Sequence, residues 1–510
     1  MEKIIRRRAI VPDEYLLNVS HPKLRQLYAS RNVTSDAELQ MTLQQLLPIE
    51  LMAGIPQACD VLFKHVLTQQ KITIVGDFDA DGATSTSLMM MALSSFGVLD
   101  HDFLVPNRFE YGYGLTPEIV DIAAKKGTQL IITVDNGISC FPGVEHAKSL
   151  GIDVIVTDHH LAGEFLPPAD AIINPNQPGC DFPSKAIAGV GVAFYFMMAF
   201  RKFLREKAWF SQKQIPEPNL AQLLDLVALG TVADVVSLDR NNRILVEQGI
   251  KRIRAGATRP GIQALIEVAG RNQQRMVASD FGFALGPRIN AAGRLDDMAF
   301  GIQCLMANDL MTARAMAAEL DGLNKSRREI EQGMQHEAEI ILKQLNFDGQ
   351  ALPYSIALFH PEWHQGVIGI VAGRIKEKFH RPTIVVATAE SRDEIKGSAR
   401  SIPGLHIRDL LEAIHSKHPD LINKFGGHAM AAGLSIDVNK FDAFKQAFEQ
   451  EAKRLLDEDK LTGIIHSDGE LSVDEMTLSF AELIRESGPW GQNFPEPIFD
   501  DKFELIQQRI

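Results

Sequence analysis

The 510-residue sequence predicts an α/β protein: a parallel-sheet domain joined by a long helix to a smaller α/β domain, with a β-rich stretch at its end. Three observations predict it. Apolar, β-branched runs alternate with helical patterns across the first half. A long, charged, Ala- and Leu-rich helical pattern follows over 308–346. Alternation then resumes near Leu352. Strand and helix alternating in this way build parallel sheets, because each return to the same sheet needs a crossover helix.

In chain order, an N-terminal helical extension occupies 1–50. Buried strands are expected at 72–75, 130–134, 154–156 and 171–173, separated by helices at 83–96, 117–126 and 142–150. They define a first domain over 51–307, in which helices dominate from 189 to about 269. The connecting helix covers 308–346, and apolar residues at 310, 313, 316, 317, 320 and 323 give it one packing face. A second α/β domain covers 350–455, with strands at 354–359 and 383–387 and a helix at 367–378. Residues 463–510 begin a further β-rich unit that stops abruptly.

Composition narrows the function classes. Lys plus Arg is 52 against 65 Asp plus Glu, a net charge of −13, with 45% hydrophobic and 23% charged residues. Those proportions exclude a disordered or fibrous chain. Cys59, Cys140, Cys180 and Cys304 stand far apart with no CxxC, which excludes a zinc knuckle or a thioredoxin-type motif. The basic start, 1–8, is followed by no apolar stretch, and the longest apolar run, 189–200, is too short to span a bilayer. A soluble, cytoplasmic protein with no membrane association is expected. Net acidity argues mildly against non-specific nucleic-acid binding. The balance reverses over 240–294, where ten Lys or Arg face three acids. That run reads either as a solvated surface or as a stripe facing phosphates.

The chemistry gathers at strand ends. The first strand runs into Asp77-Phe78-Asp79-Ala80-Asp81-Gly82, the second into Asp135-Asn136-Gly137 and the third into Asp158-His159-His160. Asp234 follows a long apolar helix. Parallel sheets bind ligands at the carboxyl ends of their strands, so these groups converge. Clustered carboxylates repel and are driven towards protonation unless a cation compensates. The pattern therefore points to divalent metal, one ion or a pair, suited to phosphoryl displacement. Mixed carboxylate and imidazole donors favour Mn²⁺ over Mg²⁺. An EF-hand needs Glu at the twelfth loop position, which is Leu88 here, and a strand precedes the loop. No Walker A loop is present, so nothing supports an ATP motor. Tyr111, Tyr113 and Trp363 are candidates for base stacking.

With these residues in hand, the chain resembles the DHH phosphoesterase superfamily, and within it the bacterial single-strand-specific 5′→3′ DNA exonucleases. The resemblance rests on VGDFDADGATST (75–86), VPNRFEYGYGL (105–115), TVDNGIS (133–139), VTDHH (156–160) and LGTVADVV (229–236). It continues through LGPRINAAGRLDD (285–297), WHQGVIGIVAGRI (363–375), KGSARS (396–401) and KFGGHAMAAGLS (424–435). It implies that Asp79, Asp81, Asp135, His159 and Asp234 hold two Mn²⁺ ions, or Mg²⁺, with Asp135 bridging. His160 would face the scissile phosphate, Asp77 would take part in catalysis or hold its own turn, and Asp158 would orient a ligand.

Residues 350–455 would be the DHH-associated domain, closing over the substrate. Arg108, Arg288, Asn290, Ser398, Arg400 and His428 would bind substrate, several of them around the 5′-terminal phosphate. For Arg288 and Arg294, ion pairing to the connecting helix is the structural alternative; for His428 it is packing in the core. Residues 463–510 would open an oligonucleotide-binding (OB-like) barrel. Five strands do not fit in them, so an incomplete barrel and weakened single-strand affinity are expected.

The resemblance implies hydrolysis of single-stranded DNA to 5′-mononucleotides in recombination and repair, beside a single-strand-binding protein and a RecQ-type helicase. Two alternatives stand beside it. One is a DHH phosphodiesterase acting on oligoribonucleotides or cyclic dinucleotides. The other is a catalytically silent DNA-binding partner.

Overall fold

The computed structural model describes residues 3–107, 110–111, 113–344, 352–389 and 393–509. They divide into two compact units, one of residues 9–324 with 470–497, the other of residues up to 8 with 325–469 and 498 onward.

The first unit is built on a five-stranded sheet of β1 (Ile72–Gly76), β2 (His101–Leu104), β3 (Leu130–Val134), β4 (Asp153–Thr157) and β5 (Ala171–Ile173). All pairings are parallel, in the order β2-β1-β3-β4-β5. β1 and β3 are buried along their whole length, as the continuous apolar runs require. The sequence reading passed over β2, whose His-Asp-Phe-Leu is half-buried at the sheet edge. The chain leaves β1 for β2 on one side and returns to β3 on the other. A topological switch point therefore lies between the carboxyl ends of β1 and β3, where parallel sheets open a crevice.

Val75, Ile131, Val154 and Val156 meet the helices Pro117–Lys125 and Phe141–Ser149 on one face. The opposite face is covered by α1 (Ala80–Ser95) and α2 (Gly189–Glu206), and α3 (Leu224–Ala233) packs on both helices. Because the first half of α1 is enclosed, the hydroxyl residues Thr84, Ser85, Thr86 and Ser87 are buried. Thr84 and Ser87 satisfy theirs by donating to Ala80 O and Ala83 O, both at 2.8 Å. Helix α4 (Gly286–Leu295) completes the framework.

Helix α5 (Leu310–Gln344) runs on from this unit into the next, with Ala313, Ala317 and Leu320 buried on the expected face. The second unit holds a mixed sheet of β6 (Ile356–Phe359), β7 (Thr383–Thr388), β8 (Glu394–Arg400), β9 (Lys424–Gly427) and β10 (Ala431–Asp437). Its order is β9-β10-β8-β7-β6, and only β6–β7 is parallel. Along β8 buried residues alternate with half-buried ones, the period-2 signature of a strand with one face on the core.

Both ends of the chain depart from the sequence reading. Ile4–Arg7 is a strand, not part of a helical extension, and it pairs in parallel with Ile464–Ser467. Between Pro22 and Leu51 a single helix, Pro22–Ala29, is followed by three short 3₁₀ turns. Among the described residues beyond Ser467, Thr477 caps a helix over Leu478–Glu486, which buries Phe480, and strand pairing is confined to an isolated bridge between Gly491 and Phe494. Residues 470–497 belong to the first unit. Trp490 stacks between Tyr28 and Phe494 at 5.9 and 5.1 Å, with Arg31 over its ring and Arg243 over Phe494. The four cysteines are buried free thiols, and no single helix among the described residues is long and apolar enough to cross a membrane.

Candidate metal centre

The acidic loop after β1 is shaped by its own backbone. Asp79 caps α1, its Oδ1 accepting from the amides of Asp81 and Gly82 at 2.9 and 3.0 Å. Gly82 permits the tight return, since a Cβ there would lie 2.4 Å from Asp77 O. Asp81 is received by the start of α2: Gly189 N donates to its Oδ2 at 2.7 Å and Val190 N to its Oδ1 at 2.9 Å. These first-turn amides have no partner inside their helix, which makes them a natural carboxylate clamp.

After β3, Asp135 takes a left-handed φ of 62°, a conformation Asp tolerates better than most residues. Asn136 Nδ2 donates to Val75 O at 3.0 Å and Val134 O at 2.9 Å, lacing the ends of β1 and β3 across the switch point. A Cβ on Gly189 would fall 2.7 Å from Asp135 Oδ1, so only glycine lets α2 start this close to the carboxylate.

After β4, Asp158 accepts from the amides of Ile138 (2.9 Å), His159 (2.7 Å) and His160 (3.0 Å), and pairs with His160 Nδ1 at 2.7 Å. Three of these donors meet its Oδ1, so the carboxylate orients the histidine pair. Asp234 caps the end of α3, and Val235 after it holds a φ of 61°, a rare conformation for a β-branched residue.

These elements bring the acidic and imidazole groups into one cluster. His159 Nε2 lies 3.1 Å from Asp135 Oδ1, 3.5 Å from Asp234 Oδ2 and 4.0 Å from Asp81 Oδ2. Donor atoms of three sets lie within 4.8 Å of one another: Asp135, His159 and His160; Asp81, His159 and Asp234; Asp77, Asp79 and Asp135. Asp77, Asp81 and Asp135 are buried.

Burial, with the charge of Asp79 next, raises the Asp81 pKa to about 7. Asp135 and Asp234 are pushed well above the carboxylate range, by burial first and then by the Asp81 carboxylate. Burial alone would lower His160, but the hydrogen bond and charge of Asp158, joined by Asp234 and Asp77, raise it to about 9. A single imidazolium does not balance so many carboxylates. Hard oxygen donors and one or two imidazoles are the donor set of a divalent cation, which would let every carboxylate ionise.

The sequence candidates separate here. Asp77, Asp79, Asp81, Asp135, His159, His160 and Asp234 come together. Asn290 joins as a support, its Oδ1 accepting from Ala80 N at 2.7 Å. Tyr113 also reaches the site: its hydroxyl donates to Asp135 O at 3.2 Å, and its ring meets His160 edge-on. Arg288 does not come to the cluster. It is buried in an ion pair with Asp321 of α5 at 2.8 Å, the structural alternative to a substrate contact, and also donates to Ala284 O. Arg288→Met should therefore destabilise the fold by about 1–3 kcal/mol, because the buried Asp321 carboxylate loses its charged hydrogen-bond partner. Thermal melting checks this.

Arg108 lies outside the described residues. Ser398, Arg400 and His428 belong to the second unit, where Arg400 donates to Ser398 Oγ at 3.0 Å. His428 is exposed in the turn between β9 and β10, not packed in a core. Trp363 is a core residue, 4% exposed and donating to Glu337, so it offers no stacking surface. Tyr111 packs partly buried beside the β1–β3–β4 face.

Much of the basic run over 240–294 is consumed internally. Arg259 pairs with Asp225, Arg254 with Glu486, Arg271 with Asp280 and Arg275 with Glu482. The glycines Gly189, Gly230 and Gly293 were missed as site formers. A Cβ on Gly230 would meet Thr84 Oγ1 at 2.2 Å, and one on Gly293 would meet Phe78 O at 2.0 Å. Their signal in the sequence was glycine inside an otherwise helical pattern, which implies close approach of another element.

Comparison with known proteins gives matches over most of the chain. Residues 71–231 match the DHH family, N-terminal domain; 351–454 match the DHHA1 domain; and 467–510 match the RecJ OB domain. The single-stranded-DNA-specific exonuclease RecJ of Salmonella typhimurium is 57% identical over 489 residues, 96% of this chain and 85% of that protein. The crystal structure of RecJ from Thermus thermophilus in complex with Mn²⁺ superposes with a TM-score of 0.80 at 29% identity, covering 98% of this chain and 69% of that one. The same protein in complex with Mg²⁺ gives a TM-score of 0.74 at 28% identity, over 98% and 68% of the two chains.

Proposed function

The chain belongs to the RecJ family of single-stranded-DNA-specific exonucleases, and from that premise we propose that it hydrolyses single-stranded DNA stepwise from the 5′ end, releasing 5′-mononucleotides. The observation that carries the reading is the buried cluster of carboxylates and imidazoles at the switch point, a site that needs divalent metal to ionise. Asp79, Asp81, Asp135, His159 and Asp234 would hold two ions, Mn²⁺ or Mg²⁺. Bound there, they would supply charge for the phosphoryl oxygens and the attacking water of an in-line displacement.

The protein's own groups do the rest. The α2 amides fix Asp81, and Asp158 fixes the two histidines. His160, held by its 2.7 Å pairing with Asp158, would face a phosphoryl oxygen whose charge grows in the transition state and offer it a hydrogen bond. Asn290 holds the acidic loop in register through Ala80 N.

The second unit supplies a phosphate site of its own. Arg400 is half-buried and makes no ion pair among the described residues. A Cβ on Gly369 would lie 2.8 Å from Arg400 Nη2 and 2.9 Å from Ser398 Oγ, so glycine there keeps both groups open. A guanidinium and hydroxyl so placed suit the 5′-terminal phosphate. The working context we infer is DNA recombination and repair in the cytoplasm, beside a single-strand-binding protein and a RecQ-type helicase.

The test is digestion of a single strand labelled at either end, with and without a 5′ phosphate, in Mn²⁺ and in EDTA. Mononucleotides should leave from the 5′ end and only with metal. Arg400→Ala should slow the 5′-phosphorylated strand about tenfold or more, and the 5′-hydroxyl strand far less, since a charged hydrogen-bonded pair is lost only in the first case. Release from the 3′ end, or digestion in EDTA, would overturn the proposal.

A further inference from the structure

Next to the end of α3, which Asp234 caps, the first unit exposes an aromatic side chain on an unusual piece of backbone. Phe281–Leu285 form one π-helical turn leading into α4. Such turns are rare and recur at functional sites, because the wider ring lifts a residue out of the packed run. Phe281, Ala284 and Leu285 are buried, whereas Phe283 is 78% exposed.

The turn sits between two elements that build the cluster. On one side it meets the last turn of α3: a Cβ on Gly286 would lie 3.1 Å from Ala233 Cβ, next to Asp234, and one on Gly282 would lie 3.8 Å from Val232 O. On the other side, the helix it begins holds the acidic loop, through Asn290 on Ala80 N at 2.7 Å and Gly293 against Phe78 O. Val235, which follows Asp234, is also apolar and 64% exposed. Apolar surface left in water at the margin of a polar site gains nothing until a ligand covers it.

We propose that Phe283 is a stacking platform for a nucleobase of the strand whose phosphodiester enters the cluster. The inference rests on the single-strand exonuclease reading and adds a specificity residue to it. A strand that presents a phosphate to the acidic groups presents a base beside it, and the flat apolar face of any base fits a phenyl ring without sequence preference. In a duplex that face is already stacked and paired, so the platform rewards single strands. The occupant follows from continuity with the phosphodiester site.

Steady-state digestion of 5′-phosphorylated oligothymidine tests this with wild type, Phe283→Ala and Phe283→Tyr. Each is also run on the same strand with abasic residues in place of its first nucleotides. Phe283→Ala should raise KM about tenfold with kcat changed by less than about twofold, and Phe283→Tyr should restore it. On the abasic strand, wild type and Phe283→Ala should have the same KM. An unchanged KM for Phe283→Ala on the normal strand, or an equal loss on both strands, overturns the platform. A wild-type chain that digests neither strand overturns the exonuclease reading, and the platform with it.

Discussion

Asp135→Asn should reduce digestion by on the order of a thousandfold or more, because it removes charge from the position shared by the metal-binding groups. The same substitution should raise the melting temperature in chelator. The Asp135 carboxyl is buried among Asp81, Asp79, Asp234 and Asp77, and its pKa is pushed well above the usual range by that burial and those charges. A neutral amide of the same shape removes the repulsion. It also keeps the backbone, since Asn accepts the φ of 62° at this position. Asp135→Ala should be equally inactive yet less stable than Asp135→Asn, by about 1 kcal/mol, because Ala adopts the left-handed region poorly. Digestion rates and melting curves for both variants check this. Near-normal turnover by Asp135→Asn with metal present would refute the role of this carboxylate.

Stability of the metal-free protein should fall as pH rises from about 4 to about 7, the opposite of ordinary acid denaturation. Asp81 keeps its proton up to a pKa of about 7 when folded, through burial and the charge of Asp79. In the unfolded chain it ionises near 4. Between these values the folded state binds more protons than the unfolded state, so raising pH favours unfolding. The contribution is fully present below the unfolded pKa and is lost as pH passes the folded one. Its slope is about 1.4 kcal/mol per pH unit for each proton so linked. Asp135 and Asp234, raised in the same direction, extend the loss upward.

Saturating Mn²⁺ should abolish or reverse the trend, because the ion binds the ionised carboxylates and its affinity grows with pH. Melting temperatures from pH 5 to 8, in EDTA and in Mn²⁺, decide the matter. Parallel curves in the two conditions would mean that the cluster does not hold the cation.

Much of the site was legible because its chemistry is local. Asp79 caps the helix that begins at the next residue, Asp158 binds the amides and the ring of the two residues after it, and Asp135 ends its own strand. Buried parallel strands also announce themselves, since both faces must be apolar. Once three such strands were placed, the convergence of their carboxyl ends followed from fold rules alone. β2 and the strands of the second sheet from β8 onward were harder to read, because half-buried or Gly-rich segments such as Lys424–Gly427 lack a sustained apolar pattern.

What the sequence by itself determined, then, was the set of groups at each strand end and the cation they need. Partner choice across the chain was decided only by tertiary structure. Arg288 and Trp363 lie within motifs that resemble substrate contacts, yet one is neutralised by Asp321 and the other is enclosed with Glu337. Ile4–Arg7 becomes a strand because Ile464–Ser467, far along the chain, offers it a parallel edge. The physical reason is the same in each case. A charged or apolar side chain gains its free energy from whichever partner shares its burial, and a linear pattern records the side chain's need without recording who meets it.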